Sequence, residues 1–78
     1  MAVIIMIDNI LEASQLEYRK LTTLSHRNNL LSLSDWTQMP DGPLNEEKKT
    51  AWAVYRQQLR DISLQPGFPD TITWPERP

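Results

Sequence analysis

Apolar residues recur along the first third of the chain with no glycine or proline to interrupt them. From Ile7 to Leu33 the sequence holds neither residue, which predicts one long helix over 7–33. Asp8 and Glu12 fall in its first turns and Arg27 toward its end, the placement that suits a helix dipole. Steps of three and four pick out Ile7, Ile10, Ser14, Glu17, Leu21, Leu24, Asn28 and Leu31. Most of these are apolar. They form a heptad seam with a weak middle and a late Asn, a residue that fixes register between paired helices. Leu11 and Tyr18 flank the seam and widen the stripe. Such a stripe serves either a core-facing helix of a small bundle or a helix that meets a partner. The two uses are compatible, because one small core cannot cover a helix about 40 Å long at ~1.5 Å per residue.

Residues 34–44 break the pattern. Pro40, Gly42 and Pro43 forbid regular structure there. The segment reads as the stiff corner of a helical hairpin, with Ser34 or Asp35 capping a short turn that sets Trp36 into the core. A second helix is predicted over 45–63. Asn45 is a favoured N-cap, Glu46 and Glu47 follow in the first turn, and Trp52, Tyr55, Leu59 and Ile62 share one face. Trp36, Trp52, Tyr55 and Leu59 are the expected core. Arg56 stands four residues after Trp52, within reach of its ring.

The tail, 64–78, holds four of the six prolines. Pro66-Gly67 reads as a type II turn, and Thr71–Trp74 alternates polar and apolar over a run too short to make a sheet alone. Phe68, Ile72 and Trp74 either fold back on the helix pair or project to a partner. The expected fold is all-α and one domain over 1–78: a hairpin of one long and one shorter helix with an irregular proline-rich C-terminal segment.

Composition narrows what such a hairpin does. A chain of 78 residues buries only roughly 60% of its unfolded surface, and its core supplies on the order of a few kcal/mol. Chains of this size usually add a disulfide, a metal or a partner. With no cysteine and one histidine, the partner is what remains. The net charge of −2 argues against a nucleic-acid binder. Arg19, Lys20 and Arg27 make a minor basic area that Glu12 and Glu17 dilute. His26 has no carboxylate three or four residues away on either side and reads as a solvated helix histidine. Gly42 and Gly67 are the two glycines, so there is no glycine-rich phosphate loop. The expectation is therefore no enzyme, no metal and no cofactor. Ala2–Ile7 is an apolar run too short for a signal peptide or a membrane span, which places the protein in the cytoplasm and off the membrane.

Arg27-Asn28-x-Leu30-Leu31, Ser34-Asp35-Trp36-Thr37-Gln38 and Pro40-Asp41-x-Pro43-Leu44 follow one another along the chain. Then come Lys48-Lys49-x-Ala51-Trp52-x-x-Tyr55-Arg56-Gln57-x-Leu59-Arg60-Asp61, Gln65-Pro66-Gly67-Phe68-Pro69 and Trp74-Pro75. This ordered series, from about Glu17 to Pro78, resembles the phage tail assembly chaperone domain. The resemblance implies a non-catalytic helper that binds tail or tail-fibre polypeptides in the infected bacterial cell and assists their folding, oligomerisation or attachment. Longer members carry an N-terminal region where this sequence has the short apolar start Met1–Ser14. A chaperone of a fibrous oligomer has to cover apolar surface until the fibre forms, which an amphipathic helix and exposed aromatics can do. The residues expected to meet the client are Ile7, Ile10, Leu11, Tyr18, Leu21 and Leu24 on the first helix and Phe68 and Trp74 in the tail. The same helix is the expected route to a homo-oligomer. The alternative is a structural virion component bound at the fibre tip or baseplate.

Overall fold

The computed structural model describes residues 2–78, with side chains from Glu12 onward. Ile7, Ile10 and Leu11 thus lie outside the described side chains. Helix α1 spans Ala2–Leu33 and helix α2 spans Glu46–Arg60. A 3-10 turn over Asp35–Gln38 follows α1, and a second over Asp61–Leu64 extends α2. Residues 65–78 form turns and extended chain, and no strand occurs among the described residues. The fold is all-α, with one long and one shorter helix. α1 begins at Ala2 rather than at Ile7, since no breaker stands between the two. α2 proper ends at Arg60, short of the expected boundary, but the 3-10 turn carries the winding on and keeps Ile62 on the side of Tyr55 and Leu59.

α1 sets the shape. The molecule measures 64 × 20 × 12 Å and its radius of gyration is 17.9 Å, against about 11.5 Å for a globular chain of this length. α1 alone is about 48 Å long at ~1.5 Å per residue. Among the described residues, the first hydrogen bond from α1 to the rest of the fold comes from Arg19. N-terminal to that contact the helix backbone continues to Ala2, roughly 24 Å further at the same rise.

The core sits between the C-terminal half of α1 and α2. Tyr55, Leu59 and Ile62 are buried, joined by Ser34, Thr37 and Pro69. Burial of Leu59 and Ile62 contributes on the order of 1.5–3 kcal/mol each. Trp36, expected in the core, is 45% exposed, and Trp52 is half-buried. The 3-10 turn explains the difference. Its buried residue is Thr37, whose hydroxyl donates to the Ser34 carbonyl at 2.6 Å, and with Thr37 turned inward its neighbour Trp36 faces out.

The inward face of α1 also departs from the expected seam. Leu16, Lys20, Thr23, Leu24, Arg27, Leu30 and Leu31 are half-buried, whereas Ser14, Glu17, Leu21 and Asn28 are exposed. The contact face is rotated by about one residue, ~100° on a helix. Polar side chains make the difference. The Thr23 hydroxyl donates to the Pro69 carbonyl at 2.9 Å, and Arg19 Nε donates to Asp70 Oδ1 at 2.6 Å. These bonds fix the face that a count of apolar residues misplaces.

The tail folds back on α1. Trp74 meets His26 edge-on, with ring centroids 4.7 Å apart and planes at 85°. The Gln65 carboxamide exchanges two hydrogen bonds with the Thr73 backbone, both 2.9 Å, and so does for Thr73 what a neighbouring strand would do. The Phe68 N–H donates to the Gln65 carbonyl at 3.1 Å and closes a turn. Gly67 in that turn does not have a positive φ, so the turn is not the expected type II. The glycine is there for space. The N–H groups of Asp70 and Thr71 both donate to its carbonyl, at 2.9 and 2.8 Å. That closure brings the Thr71 carbonyl oxygen into the place a Cβ would occupy, with the Thr71 Cβ 2.9 Å away. Gly67→Ala is expected to cost about 1–3 kcal/mol, as overpacking against fixed backbone does. Urea unfolding followed by helical circular dichroism measures it, and a loss under about 0.5 kcal/mol would mean the tail yields freely.

Candidate functional site

The site is built on the end of α1. A helix leaves its last carbonyls without partners inside the helix, and the last turn of α1 contains no basic residue. Arg56 of α2 supplies the missing cation. Its Nη1 donates to the Leu31 carbonyl at 2.7 Å and to the Ser34 hydroxyl at 2.8 Å, and its Nη2 donates to Asp35 Oδ1 at 2.8 Å. The Ser34 hydroxyl lies 2.9 Å from the Leu30 carbonyl and 3.1 Å from that of Leu31 and donates into that pair. The Arg56 side chain is 12% exposed. It does not stack on Trp52, because a flat fork of donors gains more from charge-assisted bonds at the negative end of a helix than from a ring. One turn further on, Gln38 Nε2 donates to the Lys49 carbonyl at 3.1 Å. The 3-10 turn is thus held to α2 from both ends.

With the turn fixed, an aromatic groove opens beside it. Trp36 and Trp52 have ring centroids 6.1 Å apart and planes at 55°, and Trp52 meets the buried Tyr55 edge-on at 5.6 Å. Leu30 and Leu33 form the α1 side, and the groove has a volume of about 490 Å³. Such tilted and edge-on pairs are worth about 0.5–1.5 kcal/mol each beyond burial.

A second apolar surface lies on the outer side of α1. Tyr18 and Leu21, three residues apart on one face, are 72% and 65% exposed. Leu24 is half-buried, and so are Phe68 and Trp74, with Trp74 engaged by His26. His26 is exposed, as its sequence context implied. Among the described residues, no group of three or more His, Asp or Glu gathers into a metal-binding cluster, and no buried side-chain N or O atom lacks a hydrogen-bond partner. Among the described residues, no helix is long and apolar enough to cross a membrane. What the structure offers is contact surface.

Sequence reasoning missed the roles of Arg56, Gln38, Gln65 and Thr23. One signal was available: a long helix ending at a serine without a basic residue in its last turn needs a cation from elsewhere in the chain.

A family model described as phage tail assembly chaperone protein matches residues 21–78, well over half of the chain. No curated protein and no solved structure matches the sequence.

Removing the Arg56 fork strips charge-assisted bonds from a half-buried helix end. Arg56→Ala is expected to cost about 2–3 kcal/mol, and Arg56→Lys most of that, since a point charge cannot serve three acceptors in one plane. Asp35→Ala is expected to cost under about 1 kcal/mol, because the Asp35 side chain is 66% exposed and its ion pair is screened by solvent. Chemical denaturation of the three variants gives the ranking. An Asp35 effect as large as the Arg56 effect would show that the ion pair, not the helix end, holds the hairpin.

Proposed function

The chain belongs to the phage tail assembly chaperone family, and on that premise we propose that it holds an unassembled tail or tail-fibre polypeptide on the outer face of α1. The contact keeps the client's apolar surface out of water until assembly buries it. The protein works in the cytoplasm of the infected cell, performs no chemistry, and leaves the client when the fibre or tail has formed.

The observation that carries this reading is the exposure of Tyr18 and Leu21 on either side of Arg19, the first contact of α1 with the tail, from which the helix backbone runs on to Ala2. Single exposed apolar residues are ordinary. These two stand in a series, because Ile7, Leu11 and Ser14 precede them at steps of four and three along the same helix. A stripe of that spacing is the surface by which a helix meets another apolar face. In its described part, Tyr18 and Leu21, the stripe is exposed, while Trp74 of the tail is engaged by His26.

Tyr18→Glu combined with Leu21→Glu tests it. Both positions are exposed and glutamate is a good helix former, so stability should change by less than about 0.5 kcal/mol. Co-expressed with a tail-fibre polypeptide, the wild-type chain should co-purify with it and the double variant should lose at least tenfold in recovery. Unchanged recovery would remove the outer face of α1 from the mechanism. A protein inventory of purified particles should lack the chain; a stoichiometric copy there would make it a virion component instead.

A further inference from the structure

The aromatic groove is left unused by that reading. Trp36, Trp52, Tyr55, Leu30 and Leu33 line it together with Ser34, and Arg77 and Pro78 of the same chain complete the lining. We propose that the groove is a docking site for an extended, proline-bearing segment of a different protein, not of a second copy of this chain, and that Arg77-Pro78 is a displaceable resident of the same chemistry.

The nature of the resident is the first argument. The last four residues read Pro75-Glu76-Arg77-Pro78. Prolines three apart share one face of a polyproline II helix, which repeats every three residues. Residues 72–78 carry no helix or strand, and Pro78 reaches the groove. Segments of this kind dock in grooves lined by aromatic rings, because their shape is set before binding and their backbone needs no partner strand.

The second argument is the geometry of the floor. The indoles of Trp36 and Trp52 are tilted by 55° at 6.1 Å between centroids, which leaves a notch between ring faces rather than a closed stack. Trp36 stays 45% exposed beside it, and Leu33 is exposed on the far wall. The third is the weakness of the resident's hold. Arg77 and Pro78 are exposed, and among the described residues no hydrogen bond is made beyond Thr73. A competing segment has little to displace.

The probe is a synthetic Pro-x-x-Pro hexapeptide without aromatic residues, with a proline-to-alanine version as control, titrated into the full chain and followed by tryptophan emission. The expected result is a saturable shift with the proline peptide and none with the control. Pro78→Ala in the full chain should tighten binding by about threefold or more, since it weakens the competitor. Trp36→Ala and Leu33→Glu, both at exposed positions, should weaken binding at least tenfold, with helical circular dichroism unchanged. Tyr18→Glu with Leu21→Glu should leave it as it is, which separates this site from the client face. No saturation with either the wild type or Pro78→Ala would overturn the proposal, as would equal binding of the control. A concentration-dependent dimer that Pro78→Ala abolishes would also overturn it, by giving the groove to the tail of a second copy.

Discussion

The open carbonyl end of α1 is the constraint on which the rest of the fold depends. A 32-residue helix ends at Leu33 with no cation of its own in the last turn, and its final carbonyls point toward the corner where the chain must reverse. Arg56 closes that end by bonding Leu31, Ser34 and Asp35 together. The bonds join three pieces that share few other ties: the helix that ends, the 3-10 turn that follows it, and the helix that returns. Once they are joined, Thr37 turns inward, Trp36 turns outward and Gln38 reaches the Lys49 carbonyl. The aromatic groove is a consequence of that arrangement.

The same device recurs along the tail, for the same physical reason. A core of Tyr55, Leu59 and Ile62 is small, and the sequence has no cysteine to reinforce it. Backbone groups outside helices still require partners. Here side chains supply them: Thr23 for Pro69, Gln65 for both groups of Thr73, Asn45 for the Lys48 N–H at the start of α2. Net contributions near 1 kcal/mol for each such bond are modest singly. In a chain whose whole stability is a few kcal/mol they decide whether the tail lies on α1 or drifts away from it.

What the sequence revealed follows from this division between packing and bonding. Glycine and proline positions gave the two helices and the corner, the Asn45 cap holds in the structure, and Tyr55, Leu59 and Ile62 lie buried along the face that their spacing marked. Those features rest on local backbone preference and on the period of apolar residues. The inward face of α1 was not legible, because Thr23 and Arg19 fix it through bonds to Pro69 and Asp70, about fifty positions later in the chain. Trp36 misled for a related reason. Its size argues for burial, but the smaller Thr37 satisfies a carbonyl and takes the inner place. Gly67 was noticed for its conformational freedom and is needed for its lack of a side chain.

Several of the residues that carry the resemblance are engaged in holding the hairpin. Asp35, Gln38, Arg56, Gln65, Gly67 and Trp74 each make a bond or a close approach inside the fold. The family match begins at Leu21, close to where the tail first meets α1 at Arg19. The shared part of the chain and the closed part of the fold therefore nearly coincide, while most of the helix that runs beyond them lies outside the match. On the reading proposed above, this separates two tasks. The hairpin needs a fixed set of side chains because its bonds are specific in geometry. The outer face of α1 needs only apolar residues at helical spacing, a requirement that many sequences meet. A chaperone can then keep its frame while the rod changes to suit a different client, since a substitution at an exposed helix position such as Tyr18 leaves the side-chain bonds of the hairpin untouched.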